Sequence, residues 1–130
     1  VLTTAFLSCM IAQVVEMEKI VEQGLLYDFY GELLTAHQRS VYEDVVFNDL
    51  SPSEIAREKG ISRQGIHDLI RRCDKILEDY EAKLHLVAKF VKIRETVEEI
   101  QQQADEYIET RDMERIETIR RLSGEITSTL

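Results

Sequence analysis

The chain has 130 residues, of which 44% are hydrophobic and 32% charged, with one proline, five glycines and no tryptophan. This length fits one domain with a packed core, and apolar residues recur at three- and four-residue spacing while strand-like alternation is scarce. The sequence therefore predicts an all-α protein. Its formal net charge of −9 argues against tight nucleic-acid binding over the whole surface.

The first sixteen residues form the most apolar run of the chain. The run has no basic leader and is short for a membrane span, so neither a signal peptide nor a transmembrane helix is expected. We interpret residues 1–16 as an upstream or non-native extension. The alternative is an extra element that packs on a partner. A cytoplasmic protein without a membrane span is expected.

Two amphipathic helices are predicted next, from Met17 to Leu34 and from Thr35 to about Asp49. Thr35 is the expected N-cap of the second helix, and Gln38 completes a capping box three residues later. The apolar residues expected to face inward are Ile20, Val21, Leu25, Leu26, Phe29, Tyr30 and Leu33 in the first helix, and Val41, Tyr42, Val45 and Val46 in the second.

Residues 50–77 have the pattern of a helix-turn-helix. Ser51 is the expected N-cap of the first helix, and Glu54 completes its capping box. Gly60 supplies the left-handed conformation of the turn, and Ser62 caps the second helix. The expected inward residues of that second helix are Ile66, Leu69, Ile70, Cys73 and Leu77.

The polar face of the second motif helix carries groups that can reach base edges and phosphates from a major groove. The predicted nucleic-acid-binding residues are Ser62, Arg63, Gln64, His67, Arg71, Arg72 and Lys75. On a DNA duplex, Arg63 and Gln64 would read bases while the later basic residues hold phosphates. Asp68 on this face repels phosphate, and Gly65 lowers the helix propensity.

The charge is unevenly distributed along the chain. Between Arg57 and Lys75 there are six basic and three acidic residues, whereas the remainder holds ten basic and twenty-two acidic ones. A basic patch on an acidic body can bind a polyanion, but with little long-range attraction and with strong sensitivity to salt.

The region after Leu77 has no proline and no glycine before Gly124. A continuous helix from Arg63 to Ile108 would be roughly 65–70 Å long, which exceeds the diameter of a domain of this size. We therefore expect either a break near Phe90, where the apolar spacing changes phase, or packing on a second subunit.

A last helix is predicted from Thr110 to Leu130, so the region from 79 to 130 is expected to form an antiparallel helical arm after a helix-turn-helix domain at 17–78. The leftover apolar face between Tyr80 and Tyr107 predicts a homodimer. The residues expected to face inward in the arm are Phe90, Ile93, Val97, Ile100, Ala104, Tyr107, Met113, Ile116, Ile119, Leu122 and Ile126.

Catalytic and metal sites are not expected. The three histidines, His37, His67 and His85, lack cysteine or carboxylate neighbours at ligand spacing, and Cys9 and Cys73 are too far apart in the sequence to form a metal motif. The chain has no nucleophile elbow and no glycine-rich phosphate loop. We therefore expect neither an enzyme nor a bound cofactor.

Two family resemblances are visible once the motif is placed. The stretch from Leu34 to Leu77 resembles region 4 of sigma-70-type transcription factors. The stretch from Met17 to about Phe90 resembles the YlxM family, through several blocks in the right order. These blocks are Leu26-Tyr27-Asp28-Phe29-Tyr30, Leu33-Leu34-Thr35, Gln38, Leu50-Ser51, Glu54-Ile55-Ala56, Ile61-Ser62-Arg63-Gln64, Ile66-His67-Asp68, Ile70-Arg71-Arg72, Leu77, Tyr80-Glu81, Lys83-Leu84 and Lys89-Phe90.

The YlxM resemblance implies a small helix-turn-helix protein of Gram-positive bacteria with a sigma-region-4-like domain and a long C-terminal helical arm, often dimeric. Members are typically encoded beside the GTPase of the signal recognition particle, which implies regulation of that pathway through the particle's RNA or GTPase. A sequence-specific DNA-binding regulator of the sigma-region-4 type is the alternative, and a purely structural adaptor is a third. Residues 1–16 have no counterpart in the family, and the match fades after about residue 95.

Overall fold

A computed structural model describes residues 18–130, and over that range the chain forms helices and no strand. The all-α fold predicted from the sequence is confirmed. The predictions for residues 1–16 lie outside the described residues. The elements are α1 at residues 18–30, a 3-10 turn at Gly31–Leu33, α2 at Ala36–Val46, α3 at Pro52–Lys59, α4 at Arg63–Leu84, α5 at Leu86–Thr110 and α6 at Met113–Thr129.

Helices α2 and α3 both begin at the residues that the sequence predicts. The Thr35 hydroxyl accepts from the Gln38 N–H, and the Gln38 side chain accepts from the Thr35 N–H. Ser51 and Glu54 form the same reciprocal pair at the start of α3. Each pair satisfies backbone donors that have no partner inside the helix, so both helix starts are determined locally.

The chain divides after Leu84 into two compact units. The first unit, residues 18–84, packs α1 and α4 around the short helices α2 and α3. Its buried core contains Leu26, Tyr30, Leu34, Val41, Tyr42, Ile55, Ile66, Cys73 and Leu77.

The inner face predicted for the first helix is partly wrong. Ile20, Val21 and Leu33 are 50%, 61% and 55% exposed. The side-chain hydrogen bonds and ring contacts of α1 with α2 and α4 begin only at Gln23. Leu33 belongs to the 3-10 turn and not to α1, and the next residue, Leu34, is buried instead.

The long helix of the sequence analysis is broken. Helix α4 ends at Leu84, and His85 has a left-handed backbone with φ 56° before α5 begins. The break lies five residues before the change of phase at Phe90. No glycine or proline lies at this break, so its position has no local signal in the sequence.

The second unit, residues 85–130, is an antiparallel hairpin of α5 and α6. Arg111 ends α5 with φ 57°, and its N–H donates to the Tyr107 carbonyl at 2.7 Å. Within residues 85–130, only Thr96 and Leu122 are fully buried. Several residues predicted to face inward are exposed instead, namely Phe90, Val97, Met113 and Ile116. Two paired helices bury only the sides that pack against each other, so apolar residues on their outer sides stay exposed.

Candidate nucleic-acid interface

The turn between α3 and α4 depends on the backbone of Gly60. This residue has φ 67° and ψ 28°, and its N–H donates to the carbonyl of Ala56. A Cβ added at Gly60 would meet nothing within 4 Å. Glycine is therefore favoured here for its left-handed conformation and not for lack of space.

The first turn of α4 requires a second glycine for a different reason. The Ser62 hydroxyl accepts from the Gly65 N–H at 3.0 Å, which confirms Ser62 as the N-cap. A Cβ added at Gly65 would lie 2.9 Å from Ile61 Cγ2 and 3.0 Å from Ser62 Oγ. From the sequence alone, Gly65 only lowers the helix propensity of α4. The structure shows that a side chain there would crowd the cap.

Helix α4 is held against α2 and α3 by an apolar cluster. Val41, Ile55 and Ile66, one from each helix, are fully buried at its centre. The partly buried residues around them are Val45, Leu50, Ala56, Ile61, Leu69 and Ile70. This cluster leaves the opposite side of α4 facing outward.

A polar cluster, which we call the Asp74 cluster, ties α4 to α1 and α2. The Gln23 amide donates to both Asp74 carboxylate oxygens at 2.9 and 3.0 Å, and the Tyr42 hydroxyl donates to Asp74 Oδ1 at 2.8 Å. Burial, followed by the hydrogen bond to Asp74, raises the pKa of Tyr42 well above its usual value. The sequence analysis missed this cluster because its members are 32 and 51 residues from Asp74.

The predicted binding residues share one exposed face of α4. All seven are exposed, although the Ser62 hydroxyl is used by the helix cap. At about 100° per residue, Arg63 to Lys75 span about half of the helix circumference, opposite the buried stripe. The structure therefore brings together the predicted set: Ser62, Arg63, Gln64, His67, Arg71, Arg72 and Lys75.

The members of this face differ in their neighbours. The Gln64 amide donates to Asp68 Oδ1 at 3.1 Å, and the Lys75 ammonium lies 3.7 Å from Asp79. Among residues 18–130, no carboxylate lies within 4 Å of the guanidinium groups of Arg63, Arg71 and Arg72. These three arginines are therefore the uncompensated cations of the face.

One further cation borders this face. A groove of about 240 Å³ beside α4 is lined by Lys19 of α1 together with His67 and Arg71. The sequence analysis did not assign Lys19, because nothing in the local sequence places α1 beside the motif. Lys19 therefore adds a cation beside the middle of α4, where the groove lining also includes Asp74.

The described residues offer no metal site, since no group of three or more His, Cys, Asp or Glu side chains converges among residues 18–130. Burial raises the pKa of the Cys73 thiol to about 11, so Cys73 is a packing residue at neutral pH. None of the described helices is both long enough and apolar enough to cross a membrane.

Comparisons with known proteins agree with this geometry. A family model described as "Putative helix-turn-helix protein, YlxM / p13 like" matches residues 17–118. The match begins after the N-terminal segment and extends past residue 95, so the expected fading of the likeness there is wrong.

Three curated relatives belong to the same family. A UPF0122 protein of Streptococcus gordonii is 44% identical over 85 residues, which are 65% of this chain and 77% of that protein. The UPF0122 protein YofM of Lactococcus lactis is 40% identical over 98 residues, or 74% of this chain and 88% of that protein. A UPF0122 protein of Caldanaerobacter subterraneus is 46% identical over 78 residues, which are 60% of this chain and 67% of that protein. The chain therefore belongs to the UPF0122 family of YlxM / p13-like helix-turn-helix proteins.

Proposed function

We propose that this protein is a cytoplasmic regulator that binds nucleic acid through the exposed face of α4. The observation that carries the proposal is the set of three uncompensated arginines, Arg63, Arg71 and Arg72, on a helix fixed by the Asp74 cluster. Their guanidinium groups match phosphate oxygens in charge and geometry. The catalytic alternative has no support in the residues of this face.

The contacts favour backbone binding over base reading. Gln64, the residue best suited to read an adenine edge, already donates to Asp68, which also repels phosphate. In this proposal Arg71, Arg72 and Lys75 hold phosphates, Arg63 contacts a phosphate or a guanine edge, and His67 borders the contact. Such binding is governed by shape and salt more than by sequence.

We propose the RNA of the signal recognition particle as the ligand and the GTPase of that particle as a further partner. The support is the family resemblance together with the net charge of −9, which suits a weak and salt-sensitive regulator. A sequence-specific DNA-binding regulator of the sigma-region-4 type is the second candidate, and the support is that α3, the turn at Gly60 and α4 form a helix-turn-helix.

One experiment compares the binding of the particle RNA, of random duplex DNA and of the particle GTPase side by side. Arg63→Ala and Arg71→Ala should each weaken RNA binding about threefold to tenfold, the loss expected for one phosphate contact. Arg111→Ala removes the same charge from an exposed residue outside the interface and should leave binding unchanged.

Equal and weak binding of every nucleic acid by all four proteins would overturn the interface. Tight, sequence-dependent binding of duplex DNA that Arg63→Ala abolishes would favour the second candidate. A pull-down with the purified particle that retains no protein at near-physiological salt would remove the particle as partner.

We also propose that the chain is a homodimer formed through the helical arm at 79–130. The support is the apolar surface of the hairpin, where Val97, Ile108 and Met113 are 48%, 64% and 64% exposed. A second copy of the hairpin could cover these exposed apolar residues, since clustered apolar surface commonly marks an interaction site.

A further inference from the structure

The α5–α6 hairpin has opposite charges at its two ends. Its open end, residues 85–94 and 118–130, carries five basic residues and one acidic residue, whereas residues 95–117 carry two basic and nine acidic ones. Because the helices are antiparallel, the two basic segments lie side by side. The sequence analysis singled out only the motif as basic and did not recognise this second positive surface.

The positive end contains an open groove of about 690 Å³ between the two helices. Lys89 and Lys92 border it from α5, and Arg121 borders it from α6. Gly124 adds no side chain to the groove, and a Cβ built there would meet nothing within 4 Å, so the groove is open at this point. The remaining lining residues are Ala88, Glu125, Ser128 and Thr129.

The two lysines of the groove are uncompensated. Within the described part of the chain, no carboxylate lies within 4 Å of either ammonium group, although Arg94 on the same helix pairs with Glu98 at 3.3 Å. The only carboxylate of the lining, Glu125, pairs with Arg121 at 2.8 Å. An exposed pair four residues apart on a helix is weak, so a phosphate can compete for Arg121.

We propose that this groove, formed by Lys89, Lys92 and Arg121, binds the phosphodiester backbone of a nucleic acid as a second contact besides the face of α4. Lys89 and Lys92 are about 4.5 Å apart along α5, and Arg121 faces them, so the three cations can contact neighbouring phosphates of one strand. The groove has no aromatic lining on which a base could stack. The inference rests on the proposed function, since it names a second site for the same ligand.

The test measures binding of the signal recognition particle RNA by the full chain at several salt concentrations. Lys89→Gln and Lys92→Gln should each weaken binding about threefold to tenfold and lower the slope of log K against log salt by about 0.7–0.9. Glu125→Gln should tighten binding by a similar factor, because it removes a negative charge and frees Arg121. A misfolded variant could not produce that gain. Arg111→Gln, at the acidic end, is the control and should change nothing.

Unchanged binding by both lysine variants and by Glu125→Gln would overturn the inference, even if Arg71→Ala weakens binding. Weakening by the lysine variants alone, with Arg71→Ala silent, would instead support this groove and overturn the face of α4. Lack of RNA binding by the wild type would overturn both. If the lysine variants affect only binding to phosphatidylglycerol vesicles, the groove is a lipid contact and the proposal fails.

Discussion

Two tyrosines of the first unit donate to carboxylates in different surroundings. Tyr42 is fully buried and donates to Asp74, whereas Tyr27 is half-buried and donates to the exposed Glu43. The two rings stack with their centres 5.6 Å apart. Desolvation, followed by the bond to Glu43, raises the pKa of Tyr27 to about 12, and burial raises that of Tyr42 further.

These shifts predict a loss of stability at alkaline pH. Because both pKa values lie above the usual 10.0, the folded state holds the protons more tightly than the unfolded state. Their contribution to the free energy of unfolding is complete below pH 10 and decreases as the pH rises above it. Urea titrations at pH 9 and pH 11.5 should show this decrease, and Tyr42→Phe should reduce it.

At neutral pH, Tyr42→Phe should lower the free energy of unfolding by about 1.5–3 kcal/mol, since it deletes a buried hydrogen bond to a charged group. Tyr27→Phe is the matched comparison and should cost less, because water can replace the phenol at Glu43. Equal losses in the two variants would contradict the larger contribution assigned to the buried hydrogen bond of Tyr42 to Asp74.

Residue roles that depend on neighbours in sequence were predictable, and those that depend on distant partners were not. Ser51, Ser62 and Gly60 act within four residues of their partners, so the local pattern identified them. Asp74 reads as an ordinary polar residue beside Cys73, because its partners come from α1 and α2.

At the scale of whole elements, helix ends without a glycine or proline were the hardest to locate. His85 and Arg111 both adopt left-handed backbone conformations that bulky residues seldom occupy. The start of α6 has a local signal, since Asp112 caps it by accepting from the Glu114 N–H. Nothing comparable precedes α5, where the His85 side chain makes no cap bond. The sequence indicated either a break near Phe90 or packing on a second subunit, and the break lies at His85 instead.

Alanine substitutions at two glycines, one in a turn and one inside a helix, should change the free energy of unfolding in opposite directions. Gly60→Ala should destabilise the protein by about 1–2 kcal/mol, because alanine resists the left-handed conformation of the α3–α4 turn. Gly124→Ala should stabilise it by about 0.5–1 kcal/mol, since this glycine lies exposed inside α6 with open space around it. Urea unfolding of both variants checks the pair. A stabilising Gly60→Ala would contradict the assigned turn.

At the scale of the whole molecule, the two units differ in how much apolar surface they bury. Most of the fully buried residues in the described chain belong to residues 18–84, and the hairpin contributes only Leu122 and Thr96. A helical pair with so little interior is marginal in water. This imbalance is the physical reason for the proposed dimer, which the sequence analysis inferred from the unused apolar positions.

Sedimentation equilibrium should therefore give the mass of a dimer at tens of micromolar. Val97→Glu places a charge on the exposed apolar surface of α5 and should shift the equilibrium toward the monomer. Gln102→Glu adds the same charge to an exposed polar position of α5 and serves as the control. A wild-type chain that sediments as a monomer at this concentration would contradict the dimer.

The Asp74 cluster also has a consequence for the energetics of recognition. Asp74 lies in the sequence between Arg72 and Lys75, so α4 cannot turn about its axis without breaking the hydrogen bonds from Gln23 and Tyr42. The side of α4 that carries the arginines is therefore oriented before a ligand arrives. If the proposed interface binds nucleic acid, this preorganisation would reduce the conformational entropy lost on binding and so favour affinity where long-range charge gives little.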